Sequence, residues 1–240
     1  EVGLGKTIEA GMIWQALAQR GQAKRTLIIT PAGLTTQWQE EMQDKFGQTF
    51  EVFGRDFHAV NPRIWDLKAT AIASLDTLKR AEHKKMLLEN RKWDLIIFDE
   101  AHRLSAMDYG SGKTDKTQNY RLAEEVRHKH YCDALLLLTA TPHQGEENHS
   151  RFKNLLGLLE DDIDFSGLED AGLFSASGKR FTELVIRTPK KDVTDAQGRK
   201  VFKGRQTHRM PFKMYDDEAR FYKAVAAYIR DGYQMLERVN

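Results

Sequence analysis

The sequence predicts an α/β fold: a mostly parallel sheet flanked by helices, organised around a phosphate-binding loop and followed by a C-terminal helical extension. Three observations carry that reading. Gly3-Leu-Gly-Lys-Thr7 opens the chain as a glycine-rich turn that runs straight into a helical pattern. Residues 94–98 form a short apolar run that ends in two carboxylates, Asp99 and Glu100. A third apolar run, 134–138, leaves its strand through two hydroxyls, Thr139 and Thr141. Buried parallel strands present their chemistry at their C-terminal ends, where open α/β sheets bind ligands. Strands alternating with helices over residues 6–159 argue for a parallel sheet covered on both faces.

Taken in order, residues 6–20 have helical spacing, with Ile8, Met12, Ile13, Ala16 and Leu17 on the expected inner face and Gly21 as the stop. Residues 26–30 read as a strand ended by Pro31, and 34–46 as a helix carrying Trp38, Met42 and Phe46. Residues 50–53 and 70–74 are further strands, and 75–89 is mostly helix. The acid-tipped strand follows. Residues 105–117 read as a polar, glycine-bearing, mobile loop. Helices are expected at 120–128 and 150–159, with the hydroxyl-tipped strand between them. Residues 215–239 read as one long amphipathic helix, with Phe221, Val225, Tyr228, Ile229 and Leu236 as a stripe that would pack on the protein's own core or on a partner.

The loop supplies the first chemistry. Two glycines let the backbone curl so that its N–H groups converge on a phosphate, and the helix start behind them adds partial positive charge. Gly3, Leu4, Gly5, Lys6, Thr7 and Ile8 are therefore the candidate ATP cradle, with Lys6 reaching the β- and γ-phosphates and the Thr7 hydroxyl on Mg²⁺. Asp99 is the second candidate Mg²⁺ ligand. Glu100 is the candidate catalytic base that orients and deprotonates water, acting with Lys6 and Asp99. The full loop pattern needs a residue before Glu1, so a segment ahead of it is expected.

Composition bounds the class. The chain has 240 residues, 40% hydrophobic and 30% charged, enough to bury a core. A net charge of +2 does not by itself announce a polyanion partner. Its distribution says more: residues 179–213 hold eleven Lys or Arg against three acids, a local excess of +8. That segment is either a solvated loop pair or a footprint for nucleic-acid phosphates. Cys132 is the sole cysteine, so no intrachain disulfide forms, which fits a reducing cytoplasm. No apolar run approaches a membrane span.

Together the motifs resemble the first motor lobe of the Swi/Snf-type ATPases of helicase superfamily two. Residues 3–11 resemble motif I, 29–38 motif Ia, 73–76 motif Ib, 99–102 motif II and 138–142 motif III. Gln37-Trp38 followed by Glu40 and Glu41, and Thr-Ala-Thr-Pro at 139–142, favour this branch over the DEAD and DEAH boxes. Ile186-Arg-Thr-Pro-Lys-Lys-Asp-Val193 is similar to the segment that closes the lobe, with Pro189 altering the spacing. The resemblance implies a RecA-like lobe across residues 1–160, truncated at its N-terminus. Residues 161–240 would be its remainder, with the basic segment and a helix leading to a second lobe. It implies ATP and Mg²⁺ as cofactors. It further implies a nucleic-acid-stimulated bacterial motor that translocates on double-stranded DNA or remodels what is bound there, cytoplasmic and nucleoid-associated. A helicase proper acting on DNA or RNA, and a non-catalytic binding lobe, remain alternatives. So do RNA or single-stranded DNA as polymer, and a protein cargo. By itself the chain would be nearly inactive, since the second lobe supplies arginine fingers. Pro31, Ala32, Ser74 and Leu75 would face the nucleic-acid backbone, with Lys190 and Lys191 adding phosphate contacts. His102 would couple motif II to Thr139 or Thr141, or else cap a helix. Trp38 would be a packing anchor or a base-stacking platform.

Overall fold

In a computed structural model, residues 3–108, 114–141, 149–160, 184–202 and 208–237 are described. Three apolar runs make the centre of the fold: β1 (Thr26–Thr30), β3 (Thr70–Ser74) and β4 (Trp93–Phe98). Nearly every residue in them is buried, as strands covered on both faces must be. With β2 (Glu51–Val52) and β7 (Cys132–Leu137) they form a five-stranded sheet in the order β2-β3-β1-β4-β7. All its pairings are parallel, the expected architecture.

Register brings the strand tips level. Thr30 pairs with Ser74, Ile29 with Phe98, and Phe98 with Leu137. The edge that results carries Pro31, Leu75, Asp99 and Leu138 one residue further on. Asp99 N–H donates to the Ile29 carbonyl at 2.8 Å, and Ala101 N–H to the Leu138 carbonyl at 2.8 Å, so the turn after β4 is pinned between its neighbours.

Alternation along the strands divides the core. Ile28, Ile72, Leu95 and Ile97 face α1 (Lys6–Gln19) and α2 (Thr35–Phe46), meeting Ala10, Trp14, Trp38 and Met42. Leu27, Ile29, Ile96 and Phe98 face the other way. There they meet side chains from α3 (Arg63–Asp66), α4 (Leu75–Leu78), α5 (Ala81–Leu88), α6 (Gln118–His128) and α7 (Ser150–Gly157).

Local details depart from expectation. On α1 the buried residues are Ala10, Gly11 and Trp14, while Ile8, Met12 and Ile13 are exposed. The helix is turned so that Gly11 meets α2: a Cβ there would lie 2.1 Å from Phe46 Cε2. Close helix approach, not the apolar stripe, sets this face. The short helix α3 has no sequence signal, and the buried Arg25 guanidinium satisfies its end by donating to the carbonyls of Trp65, Asp66 and Lys68. Burial lowers the Arg25 pKa, and nearby Arg91 adds to that.

Residues 105–117 are not simply a loop. Their described part is an antiparallel pair of strands, β5 (Ala106–Asp108) with β6 (Thr114–Lys116). Asp108 fixes it, accepting from Thr114 Oγ1 at 2.5 Å and from Asn154 Nδ2 of α7 at 3.0 Å.

The chain divides into two compact units, residues 1–193 and 194–240. In the second, Thr194 and Lys200 bridge across a turn, and α8 (Asp216–Glu237) follows. Within this unit Phe221, Val225, Tyr228 and Ile229 of the expected stripe are exposed. Leu236 lies where side chains are not described. Among the described residues, no helix is long and apolar enough to cross a membrane.

Candidate nucleotide site

At the C-terminal edge of the sheet lies a cleft of about 300 Å³ lined by Gly3, Gly5, Lys6, Thr7, Ile8, Trp38, Asp99 and Glu100. Gly3 and Gly5 both have positive φ, 77° and 80°, a conformation open to glycine and strained for most side chains. Gly5 is the N-cap of α1, so the helix begins within the cleft wall. The first N–H groups of a helix have no intrahelical acceptor, which makes that wall attractive to phosphate. Leu4 is not among the residues lining this cleft. It lines a separate apolar cavity of about 230 Å³ beside β7 and α7, which Lys6 also borders.

The two carboxylates are held very differently. Asp99 is buried, and donors reach both of its oxygens. Its Oδ1 accepts the Glu100 N–H at 2.8 Å. Its Oδ2 accepts from Trp38 Nε1 at 2.8 Å and from Thr30 Oγ1 at 3.3 Å. Glu100 instead sits where the chain leaves β4 in the left-handed region, φ 49° and ψ 48°, which costs a non-glycine residue roughly 1–2 kcal/mol. That bend turns its carboxylate to Lys6, whose Nζ is 3.8 Å from Oε1, and to His102, whose Nδ1 is 3.1 Å from Oε2. His102 Nδ1 also lies 3.2 Å from Thr139 Oγ1, which in turn accepts the Thr141 N–H at 3.2 Å. Lys6, Glu100, His102, Thr139 and Thr141 thus form a continuous polar chain from the α1 start to the end of β7. Pro142 and His143 lie outside the described residues.

Among the nucleic-acid candidates, Ala32 is exposed and Pro31 half-buried, at a short 3₁₀ turn (Ala32–Leu34) leading into α2. On the adjacent strand tip the Ser74 hydroxyl is committed locally, capping α4 by accepting the Thr77 N–H at 3.1 Å. Leu75 is a core side chain, 2% exposed, so only its backbone could meet a ligand. Lys191 is exposed and Lys190 half-buried in a 3₁₀ turn (Lys190–Asp192) away from the cleft lining. In the second unit, Arg199 is paired with Asp195 at 2.8 Å.

Trp38 is 2% exposed, the packing anchor of its two expected readings, which removes base stacking. Two features were not anticipated. One is that the Trp38 ring nitrogen reaches Asp99. Gln37, Glu41 and Lys45 form a ladder along α2 on the cleft wall, with Gln37 Nε2 donating to Glu41 at 2.8 Å and Lys45 Nζ at 3.1 Å. Their i, i+4, i+8 spacing is the signal that could have revealed it.

The geometry agrees with what comparison with known proteins finds. Residues 1–144 match the family described as "Type III restriction enzyme, res subunit". Over 160 residues the chain is 39% identical to the "Uncharacterized ATP-dependent helicase YqhH" of Bacillus subtilis. Over 187 residues it is 36% identical to the "RNA polymerase-associated protein RapA" of Erwinia tasmaniensis. The chain belongs to this helicase-like family of superfamily two. Those two alignments take in 67% and 71% of this superfamily-two chain but only 25% and 18% of the relatives' lengths. A solved structure, the "Sulfolobus solfataricus SWI2/SNF2 ATPase core in complex with dsDNA", aligns with a TM-score of 0.50 at 19% identity. It covers 67% of this chain and 30% of that one, and marks the fold as the RecA-like lobe of helicase cores.

Proposed function

We propose that this superfamily-two lobe binds Mg·ATP and serves a cytoplasmic motor that hydrolyses it to translocate along double-stranded DNA. The observation that carries the reading is the convergence of the Gly3/Gly5 loop, Lys6, Thr7, Asp99 and Glu100 on one cleft. The chemistry of the donor set fits Mg²⁺: a hydroxyl and a carboxylate are hard oxygen donors, and so few protein ligands suit an ion that keeps waters and binds substrate phosphate. Thr7 and Asp99 would hold it. When bound, the ion offsets charge on the β- and γ-phosphate oxygens.

The chain's own groups do the rest. Backbone N–H groups at the α1 start orient the phosphates, and Lys6 places positive charge against them. Glu100 orients the attacking water and takes its proton. His102 keeps the Glu100 carboxylate aimed and ties it to Thr139, so a change at the nucleotide is felt at the end of β7. Pro31, Ala32 and the Ser74–Leu75 backbone lie on the same sheet edge, a position suited to phosphates of a polymer read without regard to sequence. Lys190 and Lys191 would add long-range attraction. Duplex DNA as partner is supported by the name of the solved core, and a protein partner by the name of the Erwinia relative.

ATP turnover by the full-length protein with no polymer, duplex DNA, single-stranded DNA or RNA tests this. Duplex DNA is expected to stimulate most. Equal rates in all four would refute a nucleic-acid motor, and a preference for RNA with strand separation would assign a helicase proper.

A further inference from the structure

We infer that Trp38 is a positioning residue of the nucleotide site: its indole N–H holds the Asp99 carboxylate in the orientation that receives the Mg²⁺ of Mg·ATP. This rests on the reading of the cleft as an Mg·ATP site.

The contrast with the other tryptophans points to the N–H. The chain has four, and Trp14, Trp65 and Trp93 bury Nε1 without a hydrogen-bond partner. In those three the ring serves as apolar filler, and packing alone would ask no more of Trp38. Trp38 instead sends its nitrogen to a buried carboxylate at 2.8 Å, across 61 positions of sequence. The indole suits the task because it donates only, carries no charge and cannot itself ligate a cation. A lysine in its place would cancel the charge that attracts the ion.

Asp99 needs such a hold. A free aspartate turns about its side-chain bonds, and an ion taken through a carboxylate requires a fixed lone-pair direction. The Glu100 N–H fixes one oxygen and Trp38 with Thr30 the other. Thr30 and Trp38 flank the segment 31–37, so that one oxygen fastens both ends of the turn leading into α2. Outer groups that orient metal ligands typically change metal affinity or activity about 10–100-fold when removed.

The test uses full-length protein carrying Trp38→Phe, which keeps a buried ring and deletes the donor. Affinity for a fluorescent ATP analogue is measured in EDTA and across a Mg²⁺ titration, with circular dichroism as the check on folding. Wild type is expected to bind more tightly as Mg²⁺ rises. The variant is expected to keep its EDTA affinity within about twofold and to need about 10-fold more Mg²⁺ for half of the enhancement. Thr30→Val, which removes the longer bond to the same oxygen, is expected to shift the requirement the same way by about two- to threefold. An unchanged Mg²⁺ requirement in a folded Trp38→Phe overturns the inference while leaving the nucleotide site standing. An equal loss of affinity in EDTA overturns it too, because Trp38 would then merely shape the cleft. If Trp38→Phe does not fold, Thr30→Val decides, and no shift there overturns the inference. Wild type with no Mg²⁺-dependent binding would defeat the reading of the site itself.

Discussion

Replacing Glu100 by Gln in the full-length protein is expected to abolish turnover while sparing ATP binding. The amide keeps the shape and can still hydrogen-bond a water, but it cannot take the proton, so turnover should fall about 10²–10⁴-fold. The ground state should change little, for reasons visible in the site. The Lys6–Glu100 pair spans 3.8 Å and both side chains are more than a fifth exposed, 21% and 27%. Such pairs contribute about 0–1 kcal/mol. Releasing Lys6 to the phosphates therefore leaves ATP affinity unchanged or improves it up to about fivefold. Equilibrium binding of Mg·ATP and duplex-stimulated phosphate release, measured on the same preparations beside Lys6→Ala, decide the matter. Turnover within a few-fold of wild type would refute Glu100 as base. An affinity loss as deep as that of Lys6→Ala would move it into loop or metal organisation.

Neutralising Lys190, Lys191, Arg199 and Lys200 should flatten the salt dependence of duplex affinity, by about 0.9 in log–log slope for each DNA phosphate left without its cation. Arg199 should contribute little, because it already pairs with Asp195, and an unchanged slope would assign the segment to packing or a protein partner. Burial pushes the Cys132 thiol up to about 11, so the reactive thiolate is scarce at neutral pH and grows only as pH approaches that value. Peptide-resolved alkylation at pH 8 should run about 100-fold slower at Cys132 than in a free cysteine peptide. Gly11→Ala forces a methyl against Phe46 and should cost about 1–3 kcal/mol, read as faster hydrogen exchange in α1 and α2.

What the sequence made legible is what local pattern encodes. Glycines at positive φ, acids after an apolar run and hydroxyls after another are readable in windows of a few residues, and the parallel sheet assembles them at one edge. Two of the three hydrogen bonds that orient Asp99 come from residues 69 and 61 positions away, so no window contains them. The α1 face was misjudged because Met12 and Ile13 look like core and Gly11 does not, yet Gly11 is where α2 approaches. The pairing of 106–108 with 114–116 escaped notice because Thr114-Asp-Lys116 has no apolar alternation. Its order comes from Asp108 gathering Thr114 and Asn154, an arrangement made only in the folded lobe.

The same hydrogen bonds give the two neighbouring carboxylates separate duties. Asp99 meets donors on both oxygens, whereas Glu100 meets groups that a bound nucleotide can draw away. Asp99→Asn should therefore do more than remove charge. An amide offers one acceptor and one NH₂ group, and whichever way it is flipped, one edge turns a donor toward a donor. With oxygen toward Trp38 and Thr30, the NH₂ faces the Glu100 N–H. With oxygen toward Glu100, the NH₂ faces the indole N–H, and the Thr30 hydroxyl loses this acceptor. Leaving a buried donor unmatched costs about 1–3 kcal/mol. Asp99→Asn is thus expected to lose Mg²⁺-dependent ATP binding and also to speed exchange of the Glu100 and 31–38 amides in nucleotide-free protein. Glu100→Gln, at a partly exposed and adjustable position, should leave those amides as protected as in wild type. Equal protection in all three proteins would mean that the donors around Asp99 relax freely, and the division between a fixed ligand and an adjustable base would fail with them.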